Sequence, residues 1–82
     1  MYALLSATNL RNSLHYKTFC KEVLQNKKEY KVNTMGCMFS FRINSLEDCI
    51  QLFDKLHSKT GLFVTQYRIS KNPCVTDEYV VY

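Results

Sequence analysis

The chain has 82 residues, of which 46% are hydrophobic and 22% charged, with six tyrosines and five phenylalanines. This composition supports one small domain with a hydrophobic core and excludes a disordered chain. The formal net charge of +4 is carried by the residues up to Lys31, where six basic residues stand against two acidic ones, whereas the rest of the chain has five of each. This asymmetry predicts an acidic partner for the first segment.

Targeting and metal signals are absent from the sequence. The N-terminus has neither the basic start nor the long apolar stretch of a secretory signal, and no apolar run approaches the ~20 residues that span a membrane. We therefore expect a cytoplasmic protein without membrane contact. The cysteines are too widely spaced for a zinc site, so we expect no metal and no cofactor. Buried free thiols are favoured over disulfides for Cys20, Cys37, Cys49 and Cys74.

The chain begins with a predicted strand and a predicted helix. Residues 2–7 are short and apolar, which is typical of a buried strand. Polar residues at 8–13 can then cap a helix. The apolar stripe of that helix consists of Tyr16, Phe19, Cys20, Val23 and the stem of Lys27. Leu10 and Leu14 lie off this stripe, so either the helix begins near Ser13 or both leucines face another surface.

Residues 29–43 have the composition of strands. Apolar and polar residues alternate from Met35 to Ile43, which predicts one apolar face. Turn-forming residues at 33–36 favour a hairpin between strands at 30–33 and 37–43. One long bulged strand is the alternative that the pattern leaves open.

The second helix carries clear signals at both ends. Ser45 is the predicted N-cap, Asp48 stands at the capping-box distance from it, and Gly61 is the predicted C-terminal stop. The predicted buried stripe consists of Leu46, Cys49, Ile50, Phe53 and Leu56.

Two further strands are predicted after this helix, at residues 62–69 and 75–82, with a turn at 71–73 between them. Asp77 and Glu78 in the last strand are typical of a sheet edge. Because Val80, Val81 and Tyr82 are apolar, we expect a homodimer or a partner strand to pair with this edge.

The resulting order is β-α-β-β-α-β-β in a single α+β domain of residues 1–82. Its first six elements match the ferredoxin-like arrangement, a two-layer sandwich with two helices on one face of a mostly antiparallel sheet of four to five strands. Without the hairpin turn the order becomes β-α-β-α-β-β, which is still a two-layer α+β arrangement.

No catalytic motif was found in the sequence. His15 and His57 lie on different predicted helices, and two glycines cannot build a phosphate-binding loop. The segment from Gly36 to Phe41 shares a glycine and spaced phenylalanines with an RNA-recognition motif, but its aromatic residues are out of register. We expect no enzymatic activity and no catalytic residues.

The basic first helix is the candidate binding surface. Lys17, Lys21 and Lys28 fall on one stripe of a straight helix, although a solvated helix face would show the same pattern. The predicted partner-binding residues are Leu10, Arg11, Leu14, Lys17, Lys21, Lys27, Lys28 and Lys31. The leading hypothesis is a non-enzymatic module that makes stoichiometric contact with the acidic surface of a protein or a protein–nucleic-acid complex.

Inhibition is the most concrete form of this hypothesis. The composition is typical of small virus-encoded accessory proteins, and a chain of this size can act by occluding a complex that binds nucleic acid. The alternative is direct, sequence-independent binding of nucleic acid by the same lysines.

Overall fold

The computed structural model of the chain describes residues 1–71 and 80–81. The strands are β1 Tyr2–Ser6, β2 Val32–Met35, β3 Met38–Arg42, β4 Arg68–Ser70 and β5 Val80–Val81. The helices are α1 Ala7–Leu10, α2 Tyr16–Gln25, α3 Lys27–Tyr30 and α4 Leu46–Thr60. This mixture of helices and strands confirms the predicted α+β class.

The described strands form one antiparallel sheet in the order β2-β3-β1-β4-β5. The central strand β1 pairs with β3 on one side and with β4 on the other. This order is compatible with the ferredoxin-like arrangement, extended by β5 at one edge of the sheet.

The core lies where alternate residues of the central strands meet the two longer helices. Leu5 of β1 and Phe41 of β3 are fully buried, together with Phe19 of α2 and Leu56 of α4. Aromatic rings join the helices to the sheet: the Phe19 and Phe39 centroids are 5.6 Å apart, and those of Phe41 and Phe53 are 6.0 Å apart. Edge-to-face contacts of this kind add to the stabilisation from burial.

The favoured hairpin is present, but its turn was misplaced. Gly36 and Cys37 form a two-residue connection between β2 and β3, and Gly36 has a φ of 58°. Two-residue hairpin turns require a positive φ at the first central position, which Gly adopts without strain. The predicted turn residues at 33–35 instead belong to β2, because pairing with β3 satisfies their backbone.

The first helix is interrupted, contrary to the continuous stripe expected from its sequence. The α1 helix follows β1 directly, and its last residue, Leu10, is 7% exposed in the core. The chain then turns before α2 begins at Tyr16. A second break occurs at Asn26, whose φ of −128° and ψ of 42° end α2, so that Lys27 starts the separate helix α3.

Helix α4 confirms both predicted ends. The Ser45 Oγ accepts a hydrogen bond from the backbone N–H of Asp48 at 3.2 Å, and Gly61 ends the helix with a φ of 81°. Its buried stripe was predicted too broadly, since Leu46 and Ile50 are 42% and 57% exposed. Residues Cys49, Phe53, Leu56 and Thr60 are the ones buried. The sheet therefore covers only a narrow stripe of this helix.

Three further predictions about the C-terminal half and the cysteines need correction. Of the strand expected at 62–69, only residues 68–69 pair with the sheet, as part of β4. Cys37 is exposed rather than buried, and Cys20 is half-buried, whereas Cys49 is buried as predicted. Cys74, residues 72–73 of the predicted turn and most of the last predicted strand lie outside the described residues, although β5 does pair with β4.

Candidate anion-binding groove

Basic residues from α3, from β3 and from the connection between α3 and β2 converge on one open groove with a volume of about 500 Å³. The groove lies where α3 passes into β2, beside the ends of β1 and β3. Its polar lining consists of Tyr2, Lys27, Lys28, Lys31, Asn33 and Arg42. These residues are referred to below as the basic groove.

Backbone pairing places three of these residues side by side across the sheet. The backbone N–H of Arg42 donates to the carbonyl of Lys31 at 2.9 Å, and Arg42 is the register partner of Tyr2. Neighbouring strands lie about 4.8 Å apart, so the three positions form a short row. Lys31 has a φ of 52°, and this left-handed residue turns the chain from α3 into β2.

The acidic residues of the same segment are engaged elsewhere. Glu29 accepts a hydrogen bond from the Lys55 ammonium of α4 at 2.6 Å, and Glu22 lies 3.6 Å from the Lys59 Nζ of the same helix. The bond from Lys55 lowers the pKa of the Glu29 carboxyl. Within residues 1–71, the four cations of the basic groove have no ion pair. Their charge is therefore available to an external anion.

Tyr30 anchors α3, the helix that carries Lys27 and Lys28, to the core. Its side chain is 3% exposed, and its hydroxyl donates a hydrogen bond to the Glu22 carboxylate. Burial, followed by the neighbouring Glu22, raises the pKa of Tyr30. The Lys55 Nζ lies 5.2 Å from the centroid of the Tyr30 ring, within range of a cation–π contact. Together with the two ion pairs, these contacts fix α3 against α2 and α4.

The structure separates the sequence-predicted binding residues into different groups. Leu10 is buried in the core, so it does not form an exposed apolar pair with Leu14, which is 96% exposed. Lys17 and Lys21 are exposed on α2. Because α2 ends at Gln25, Lys28 does not continue their stripe.

The other predicted binding residues lie in two places, one near Cys37 and one in the basic groove. Arg11 is exposed, and its Nη2 lies 3.9 Å from the Cys37 Sγ. Lys27, Lys28 and Lys31 line the basic groove. Whether any of these residues contacts a partner stays a prediction.

Sequence reasoning missed the sheet side of the groove. Tyr2 and Arg42 lie far from the α3 lysines in sequence, and only strand pairing brings them to the groove, whereas Asn33 follows those lysines closely in the chain. One signal was available: the alternation in β3 places Arg42 on the face opposite the buried Phe41. That pattern predicts the face of the sheet on which Arg42 lies, but it does not predict which strand lies beside β3.

Neither a metal site nor a helix that could span a membrane is present in the part of the chain that the structure describes. No group of three His, Cys, Asp or Glu residues there could hold a metal ion. His57 lies against Phe63, with ring centroids 4.0 Å apart, and has no acidic partner among the described ion pairs. None of the described helices is both long and apolar enough to cross a bilayer.

Comparisons of the chain with protein-family models, with curated proteins and with solved structures found no match.

Proposed function

We propose that this chain is a non-enzymatic binding module of the cytoplasm that makes stoichiometric contact with a negatively charged macromolecular surface through the basic groove. The observation that carries the proposal is the convergence of four cations, while the acids of the same segment pair with α4. Exposed charges arranged in this way attract a complementary surface and orient its approach.

Occlusion is the mode of action that suits such a module. A small domain has little room for a catalytic cleft, but it can cover part of a partner's surface. If that partner is a complex that handles nucleic acid, an acidic surface is where the module would bind. The proposed role is therefore that of an inhibitor that blocks access to such a complex.

The test compares two variants with the same net charge. The groove variant Lys27→Gln/Lys28→Gln/Arg42→Gln and the helix variant Arg11→Gln/Lys17→Gln/Lys21→Gln each remove three positive charges, lowering the net charge from +4 to +1. Fluorescence anisotropy with labelled polyglutamate and a labelled oligonucleotide measures binding by each variant. Before binding is measured, thermal unfolding must show that both variants have the same Tm as the wild type.

We expect the wild-type protein to bind at least one of these polyanions, and the groove variant to bind it roughly tenfold more weakly, since exposed charge pairs contribute about 0.2–1 kcal/mol each. The helix variant should bind like the wild type. Equal weakening in the two variants would mean that net charge alone governs binding and would contradict the proposal. No binding of either polyanion at low salt would contradict it as well.

A further inference from the structure

Resting on this proposed function, we infer that the ligand of the basic groove is the sugar–phosphate backbone of a single-stranded nucleic acid, with a base stacked on Tyr2. Three features of the groove point to this ligand. Most of its cations are lysines, they lie on two sides of the groove, and an aromatic residue, Tyr2, lies among them.

The cations of the groove are mainly of the kind that contacts the phosphates of a nucleic-acid backbone. Three of its four cations are lysines, which act as point charges without the planar fork that arginine offers to a guanine edge. Phosphate contacts position a nucleic acid without reading its sequence. The groove is therefore suited to sequence-independent binding, in which affinity comes from neutralised phosphates and released counterions.

The cations approach from two sides of a concave surface. Lys27 and Lys28 belong to α3, whereas Arg42 belongs to β3 on the sheet side. A flexible single strand can enter such a groove and expose phosphates to both sides. Within a duplex the bases are already stacked on one another, so only an unpaired base could stack on Tyr2. The groove together with Tyr2 therefore favours a single strand.

Tyr2 supplies a stacking surface at the end of the row of cations. It is half-buried and pairs with Arg42 across the β1–β3 ladder, so both side chains lie on the same face of the sheet. Stacking of bases on aromatic rings beside a basic groove is the usual basis of single-strand binding without sequence preference.

The centre of the same sheet face differs from that of an RNA-recognition motif. Leu4 and Ser40 occupy the corresponding central positions of β1 and β3 and are 1% and 2% exposed. Neither is aromatic, so these two strands do not present the stacked aromatic platform of that motif. The predicted contact is therefore confined to the groove beside β2.

The experiment measures anisotropy of labelled single-stranded and double-stranded oligonucleotides, and of labelled polyglutamate, over a range of salt concentrations. The proteins are the wild type, the groove variant, the helix variant, Tyr2→Leu and Tyr2→Phe. Thermal unfolding of each variant shows whether it folds, and Tyr2→Phe keeps both the ring and the packing.

We expect the wild type to bind the single strand more tightly than the duplex. The slope of log K against log salt concentration should become shallower by about 0.7 for each groove cation removed, so by about 2 in the groove variant, and should not change in the helix variant. Tyr2→Leu should weaken single-strand binding about fivefold or more, while Tyr2→Phe retains it.

The outcomes separate the inference from the proposed function. Groove-dependent binding of polyglutamate without binding of the single strand would overturn the inference and leave the proposed function standing, with an acidic protein as the partner. Tighter binding of the duplex, or equal binding by Tyr2→Leu and the wild type, would also overturn the inference. Failure to bind any of the three probes would overturn both.

Discussion

Phe53 is the residue through which α4 makes aromatic contact with the rest of the core. Its ring lies edge-on to Phe41 of β3 and to Tyr67, with centroids 6.0 and 5.0 Å away. We expect Phe53→Ala to lower the free energy of unfolding by about 3–5 kcal/mol, because the truncation leaves a cavity between helix and sheet. Urea denaturation measures this loss.

Ile50 provides the matched control for this substitution on the same helix. It is 57% exposed, so Ile50→Ala removes an apolar side chain from the surface rather than from the core. Its expected cost is within about 0.5 kcal/mol. Equal costs for the two substitutions would show that the assignment of the buried stripe is wrong.

Burial distinguishes the described cysteines. Burial raises the pKa of the Cys49 thiol to about 11, whereas Cys37 is exposed. Since the thiolate is the reactive form, we expect iodoacetamide to modify Cys37 in the native protein and Cys49 only after unfolding. Peptide mapping by mass spectrometry with and without denaturant tests this. Rapid native labelling of Cys49 would contradict its burial.

Two glycines with positive φ should respond differently to alanine. Gly36 has a φ of 58° and no atom within 4 Å of an added Cβ, whereas a Cβ at Gly61, with a φ of 81°, would lie 3.1 Å from the His15 imidazole. Gly36→Ala should cost about 1–2 kcal/mol, which is the penalty of the left-handed conformation. Gly61→Ala should cost at least as much, because the imidazole must also move by a few tenths of an ångström to admit the Cβ.

A double-mutant cycle isolates the steric part of the Gly61 effect. In a His15→Ala background the imidazole is absent, so the cost of Gly61→Ala should fall towards that of Gly36→Ala. Thermal or urea unfolding of the four proteins gives the coupling free energy. A Gly61→Ala cost that is the same in both backgrounds would contradict a steric contribution from the imidazole.

At the scale of elements, the ion pair between Glu29 and Lys55 links α3 to α4. The Lys55 ammonium lowers the pKa of Glu29, so the charged carboxylate is favoured in the folded protein. The ion pair therefore stabilises the fold fully at pH values above the ordinary glutamate pKa. This stabilisation is lost as the pH falls through the lowered pKa of Glu29 in the folded protein. Glu29→Gln should be less stable than the wild type at neutral pH, with a difference that shrinks in acid.

An NMR pH titration of the Glu29 carboxyl tests this contact directly. We expect a pKa below the ordinary value in the wild type and a return towards that value in Lys55→Gln. An unchanged titration in Lys55→Gln would contradict the ion pair.

Elements with local end signals could be predicted from the sequence, and α4 is the clearest case. Ser45 and Gly61 cap its ends through contacts within a few residues, so both ends were predicted. The turn of the hairpin was misplaced because pairing with β3 overrides the turn preference of residues 33–35. Long-range pairing of this kind has no local signature.

The residues of the candidate site likewise fall into those that the sequence predicted and those that it did not. The lysines of α3 are adjacent in sequence and were found by charge alone. The contribution of Arg42 depends on its backbone bond to Lys31 and on its pairing with Tyr2, neither of which a local pattern contains. The break at Asn26, which separates Lys28 from the stripe of α2, was missed because the apolar spacing continues through it.

At the scale of the whole molecule, β5 lies at one edge of the sheet that the described strands form, and it pairs with β4. Self-association through this edge stays a prediction: we expect a homodimer, or an edge that pairs with a different partner. Sedimentation equilibrium of the full chain and of a chain truncated after Asp77 tests the self-pairing form. A full-length species that stays at its monomer mass of 9.7 kDa at high concentration would exclude it.

The most direct measurement for the central claim is the location of the contact on the folded wild-type chain. Two-dimensional amide NMR during titration with polyglutamate or a single-stranded oligonucleotide reports each backbone position without any substitution. We predict saturating shifts at Tyr2, Lys27, Lys28, Lys31 and Arg42, with the amides of Lys17 and Lys21 unchanged. Shifts centred on α2 with an unperturbed groove, or no shifts with either polyanion, would contradict the assignment of the basic groove as the binding site.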